Sequence, residues 1–124
     1  MKQTLYFHPA WLKTISEKDK INIEQTFNTT GFISERITFT TIRVARNYKE
    51  ELLVTVLIQN GFNEDQEFHQ KELLYTENGA FIASHKFTVP MVLKKHSSTP
   101  WTFIFSPESI KSEYVTLDGQ VKLT

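Results

Sequence analysis

The sequence predicts a mainly β fold, an immunoglobulin-like antiparallel β-sandwich preceded by one short N-terminal α-helix. Three observations predict it. Apolar residues recur with a period of two from Arg36 to Phe105, and turn signals at Asn60-Gly61, Asn78-Gly79, Pro90 and Pro100 divide the runs. Helical spacing is confined to the stretch before Gly31. The ten phenylalanines of this 124-residue chain need two facing layers to bury them, and the length suits a single domain, residues 1–124.

The elements follow in order. Leu5 to Leu12 is aromatic and irregular, with Tyr6, Phe7 and Trp11 around Pro9. Thr14 or Ser16 is placed to cap a helix, because Glu17 and Asp19 follow in its first turn, where acidic side chains complement the helix dipole. Ile23 and Phe27 lie four apart on one face, and Asn28-Thr29-Thr30-Gly31 ends the helix. Ile37 and Phe39 share a strand face, whereas Ile42 and Val44 have the opposite parity, so a bulge or bend is expected at Thr40-Thr41. Leu52, Val54, Val56 and Ile58 alternate with Leu53, Thr55 and Leu57. A strand apolar on both sides belongs in the middle of a sheet.

A hairpin follows. Phe68 to Tyr75 leads into Glu77-Asn78-Gly79, and Asn-Gly between apolar runs is the strongest local hairpin signal. On the return strand Phe81, Ala83, His85, Phe87 and Val89 share a face. Trp101, Phe103 and Phe105 then alternate with Thr102 and Ile104. Residues 107–124 read as an extension in which Tyr114–Leu117 and Gln120–Leu123 form a second hairpin around Asp118-Gly119.

Composition excludes several functions. Lys plus Arg equals Asp plus Glu at 14 each, and neither half of the chain has a strong excess. Nothing here captures nucleic acid or an anionic membrane electrostatically. Without cysteine there is no disulfide, thiolate metal site or cysteine nucleophile. Lys2 is followed by polar residues, and the apolar Leu5-Tyr6-Phe7 is cut short by His8-Pro9, so no export signal or membrane span is expected and the protein reads as cytoplasmic.

Catalytic chemistry finds no foothold either. There is no Gly-x-Ser-x-Gly elbow, no His-Glu-x-x-His and no glycine loop for phosphates. His8, His69, His85 and His96 lack metal-ligand spacing, and Glu64, Asp65 and Glu67 read as a solvated loop tip. The expectation is a protein without catalytic residues, cofactor or metal. What remains is aromatic: Tyr6-Phe7-His8-Pro9-Ala10-Trp11, too rich to bury itself, and Trp101 with its neighbours on the last core strand.

These segments, in order, resemble the SLAP domain, best known from accessory Sec system S-layer assembly proteins of the Firmicutes. The similar stretches are Phe7-His8-Pro9-Ala10-Trp11, Leu53 to Asn60, Leu73-Leu74 with Asn78-Gly79 and Ile82-Ala83, Phe87, and the distinctive Ser97 to Phe105. The resemblance covers about residues 5–106. Gln59 stands where the family pattern tends to have Arg before Asn, and Thr99 where Arg often precedes Pro-Trp. The resemblance implies a non-enzymatic, protein-binding accessory factor that assists surface-layer or other surface proteins toward an accessory Sec pathway. Its partners would be export machinery or a client, and exposed strand edges leave a homodimer open. The residues to test are Phe7, His8, Pro9, Trp11, Asn60, Pro100 and Trp101. The alternative from another class is a sandwich that binds glycans or another small molecule through surface aromatics.

Overall fold

The computed structural model describes residues 3–124 and is mainly β, with two sheets and a helical segment near the amino terminus. Met1 and Lys2, the latter part of the amino-terminal reading above, lie outside the described residues. In chain order the elements are β1 (Thr4–Leu5), α1 (Pro9–Thr14), α2 (Glu17–Thr29), β2 (Ile37–Arg46), β3 (Leu52–Asn60), β4 (Lys71–Glu77), β5 (Ala80–Phe87), β6 (Ser97–Phe105) and β7 (Gln120–Leu123). The larger sheet has the order β1-β6-β3-β2, and the smaller β5-β4-β7. The pairings are antiparallel except between β1 and β6.

Strand β3 lies inside the larger sheet, as its doubly apolar pattern predicts. Its inner row, Leu52, Val54, Val56 and Ile58, is buried with Phe103 and Phe105 of β6 against Leu73, Tyr75 and Val121 of the smaller sheet. Phe87 joins the layers, its ring centroid 5.0 Å from those of Phe103 and Phe105. The outer row also needs cover. Leu57 is fully buried without belonging to that core, and so is Ile23 of α2, the helix that packs on β2 and β3. The larger sheet thus separates a main core from a smaller one beneath α2. Each such side chain contributes roughly 1.5–3 kcal/mol on leaving water.

Two bulges set which residues face inward. In the β2–β3 ladder Thr41 lies opposite Val56 and Arg43 opposite Thr55, which leaves Ile42 as the extra residue. That insertion lets Phe39 and Val44, of opposite parity, both turn toward the core. The bend expected at Thr40-Thr41 therefore falls one residue later. A second bulge at Ile82, between the pairs Tyr75–Ala83 and Thr76–Phe81, corrects the reading of β5. Ala83 and Phe87 face the core as expected, but the extra residue buries Ile82 and leaves Phe81 48% exposed. The turn between β4 and β5 is the two-residue kind. Asn78 and Gly79 have φ of 51° and 80°, a left-handed pair that Asn-Gly tolerates best.

Strand β6 begins at Ser97 and runs through Pro100, where the sequence predicts a turn. The Ser98 carbonyl accepts from the Tyr6 N–H, so the backbone groups of Ser98, and of Pro100 two residues on, point toward the sheet edge. The N–H that proline lacks is one β3 never needed.

The carboxy-terminal hairpin does not form. Among the described residues Tyr114–Leu117 is not a strand, and Gln120–Leu123 pairs instead with β4. The cause is Glu77, a buried carboxylate at the end of β4. It accepts from the backbone N–H groups of Thr116 (2.9 Å) and Leu117 (3.0 Å) and from the Tyr75 hydroxyl (2.7 Å). Those N–H groups are thereby unavailable for a hairpin ladder, and Leu117 is turned into the left-handed region at φ 62°.

Burial alone pushes the Glu77 carboxyl up, but the hydrogen bonds from Thr116, Tyr75 and Leu117 outweigh it and hold the group below the usual carboxylate range. Tyr75 is displaced far upward, by burial first and by Glu77 second. A depressed carboxyl stabilises the fold above its unfolded pKa, and that contribution disappears as pH falls through the folded value. Stability should therefore hold at neutral pH and fall below about pH 4.5. Glu77→Gln should cost about 2 kcal/mol at neutral pH and flatten the acid slope. Urea unfolding from neutral pH down to about pH 3 measures both.

Candidate functional site

The amino-terminal segment runs alongside β6 and builds the site at its edge. After β1 the chain continues in the direction of β6 and enters α1, which the sequence reading had left irregular. Pro9 supplies a preset φ at the first helical position, and the His8 ring caps the helix, its Nδ1 accepting from the Ala10 N–H at 3.1 Å. A second cap follows at once, where Ser16 Oγ accepts from the Asp19 N–H at 3.1 Å and starts α2. The two caps force an elbow at Ile15-Ser16.

That path gathers three of the candidate aromatics. The Trp11 ring stacks on Trp101 with centroids 6.3 Å apart and planes at 25°, and the His8 ring meets Trp101 edge-on at 5.8 Å. Phe7 is half-buried between β1 and α1 in the chain, and Pro9 is exposed. Trp101 lies opposite Val56 in the inner row, whereas Thr102 lies opposite Thr55 in the outer row. Trp11 approaches both residues, so its indole stands across the edge of β6 where the two-residue β1 has already ended.

On the outer side this arrangement leaves a groove of about 430 Å³ between the helical elbow and the sheet. Its floor is Thr55 and Thr102, whose hydroxyls lie 2.8 Å apart. Arg43 stands beside Thr55 in the next strand, put on this face by the bulge at Ile42. Asp19 and Asn22 of α2 form the opposite wall, and Trp11, Thr14, Ile15, Ile23 and Ile42 complete the lining. Among the described residues, the side chains of Asp19, Asn22 and Arg43 make no hydrogen bond or ion pair. Sequence reading found Trp11 but missed the groove. The available signal was a pair of threonines, each flanked by apolar residues on both sides, at strand positions that face each other.

Asn60 and Pro100 sit apart from the groove. Asn60 is buried and joins several loops: its Nδ2 donates to the carbonyls of Leu93 (2.9 Å), Glu64 (3.2 Å) and Lys94 (3.2 Å), and its Oδ1 accepts from the Phe62 N–H (2.9 Å). Its own carbonyl accepts from Gln3, which in turn accepts from Ser98, so Asn60 also fastens β1. Pro100 is buried on the outer row opposite Leu57. The two departures from the family pattern are likewise interior. Gln59 is buried, donates to the Gly31 carbonyl at 2.6 Å, and accepts from Thr38 and Thr40. Thr99 is buried, and its hydroxyl has no partner among the described residues.

The histidines and acids noted in the sequence stay dispersed. His69 lies beside Thr88 and His85 opposite Leu73, and Asp65 is engaged by the Lys95 N–H and the Lys94 ammonium. No group of three or more His, Asp or Glu gathers among the described residues.

Substitutions should separate scaffold from site. Asn60→Ala leaves the Phe62 N–H and the Glu64 carbonyl without a partner and takes one of two donors from the carbonyls of Leu93 and Lys94, and should cost about 2 kcal/mol. Gly61→Ala should cost at least as much, because an added Cβ would stand 1.9 Å from the Ile33 carbonyl oxygen. Trp11→Ala removes a half-exposed stacking partner and should cost about 1 kcal/mol. Urea midpoints of the three variants give this order.

The model of the SLAP domain family matches residues 5–121, a span that runs from β1 into β7. No curated protein and no solved structure matches. With nearly the whole length covered, from the aromatic opening through the Pro100-Trp101 strand, the chain belongs to the SLAP domain family.

Proposed function

We propose that this protein is a non-enzymatic accessory factor that binds other proteins in the cytoplasm and assists surface-layer or other surface proteins toward an accessory Sec pathway. The observation that carries this reading is the family match, whose short name joins SLAP to an abbreviation of the accessory Sec system. The geometry supports it with an apolar margin at the end of the larger sheet. Trp11 stacks on Trp101, and Tyr6 and Leu12 of the amino-terminal segment and Ile104 of β6 are exposed by 40%, 55% and 47%. Aromatic and aliphatic side chains grouped beside a strand edge suit a protein partner better than they suit water. No helix among the described residues is long and apolar enough to cross a membrane.

Leu12 tests the reading well, because it is exposed on a helix that buries none of its own residues. A photo-crosslinking amino acid at position 12 should trap an export ATPase or a surface-layer protein in cells. Leu12→Asp should reduce co-purification of that partner about tenfold with the fold intact, the loss expected when a charge enters an apolar contact. Crosslinks to neither class, from a folded and abundant domain, overturn the proposal.

A further inference from the structure

The groove described above has a chemistry that the protein-binding reading does not use. We propose that it is a carbohydrate site, which takes a neutral mono- or disaccharide against the Trp11 indole. Its volume, about 430 Å³, lies within the range of small-ligand pockets, roughly 300–1,000 Å³.

The groove holds unspent hydrogen-bonding capacity. Asp19 offers acceptors, Arg43 offers donors, and Asn22 offers both, and none of the three side chains has a partner among the described residues. The Thr55 and Thr102 hydroxyls satisfy each other with one proton, which leaves the second proton of the pair for a ligand. Trp11 adds an aromatic surface at the side. A ligand matching this set carries donors and acceptors close together around a compact body with an apolar face, as a sugar ring does. The one acid and the one base cancel, so a charged sugar or a phosphate would meet Asp19 as well as Arg43. A neutral ring meets both favourably.

An extended peptide fits this groove less well. Peptides are held chiefly through main-chain pairing. The floor here is the face of a sheet whose backbone groups are already paired along β2, β3 and β6, so only side chains are on offer. The proposal does not depend on the export role, and the two fail separately. The crosslinking at Leu12 probes the exposed helix, whereas the following experiment probes the groove.

Nitrogen-15 correlation spectra of the full chain are recorded during titration with glucose, N-acetylglucosamine, cellobiose and chitobiose, with sialic acid and a serine-rich extended peptide as comparisons. At least one neutral saccharide should shift the Trp11 indole and the Thr55 and Thr102 amides saturably. Asn22→Ala and Arg43→Ala, both at exposed positions, should weaken that binding about tenfold each while leaving thermal unfolding unchanged. Trp11→Phe should retain more affinity than Trp11→Ala. Absence of saturable shifts with every neutral saccharide overturns the proposal. So does wild-type affinity in both Asn22→Ala and Arg43→Ala, and so does saturation by the peptide or sialic acid alone.

Discussion

Leu57 and Leu52 sit on the same strand, face opposite ways, and are both fully buried. A sheet whose middle strand is apolar on both sides cannot leave either face to water, and most of this architecture answers that requirement. The smaller sheet covers the inner row. On the outer row α2 packs on β2 and β3, where Leu57 and Ile23 are both buried. It does not close over the neighbouring row, where Arg43, Thr55 and Thr102 lie side by side across three strands. A polar row has no tendency to draw a helix down. The groove is therefore the part of the outer face that burial had no reason to fill.

The same sheet has an edge to protect, and three devices share the task. Strand β1 pairs with Ser97 and Ser98, Pro100 removes a donor just beyond, and Trp11 stands over the next pair of residues. An unprotected edge invites pairing with other chains. Protection by a two-residue strand and a helix with no buried residue is weak in area, which is why Gln3 matters. Its side chain joins Ser98 to the Asn60 carbonyl and so connects the edge to the best-bonded residue of the loop end. The position of the aromatic cluster is thus set from inside the domain, by Asn60, and not by the aromatics alone.

Local pattern made much of this legible. The doubly apolar run gave the interior strand, the parity change gave a bulge within one residue, and Asn78-Gly79 gave the hairpin. The failures at the tail and at Pro100 involve partners distant in sequence. Nothing near Tyr114 shows that its neighbours' N–H groups will be taken by Glu77, so the tail reads as a hairpin. Pro100 reads as a loop residue because proline suits an edge only when its nitrogen faces away from the paired neighbour, and that direction is a property of the sheet. Phe81 reads as inward because a bulge at Ile82 leaves no mark on the pattern. For the site, sequence reading drew His8, Trp11 and Trp101 into one list with Asn60 and Pro100. The structure brings the first three together and assigns the other two to scaffold.

That division has a consequence for how the family resemblance relates to chemistry. The stretches that carry the resemblance include Trp11, Thr55 and Thr102, the aromatic side and the floor of the groove. Asp19, Asn22 and Arg43, which supply its charges and its amide, lie outside every one of those stretches, on α2 and after the bulge of β2. Floor residues are constrained twice, by strand pairing and by the packing behind them. Of the wall residues, Asn22 and Arg43 are exposed and Asp19 is partly so, and such positions contribute little to stability, so they can change without loss of the fold. Substitutions on the wall would therefore change the hydrogen-bonding groups of this groove while the floor keeps its shape. If the groove takes a ligand as proposed, the floor sets where it sits, and the side chains at positions 19, 22 and 43 set which ligand it is.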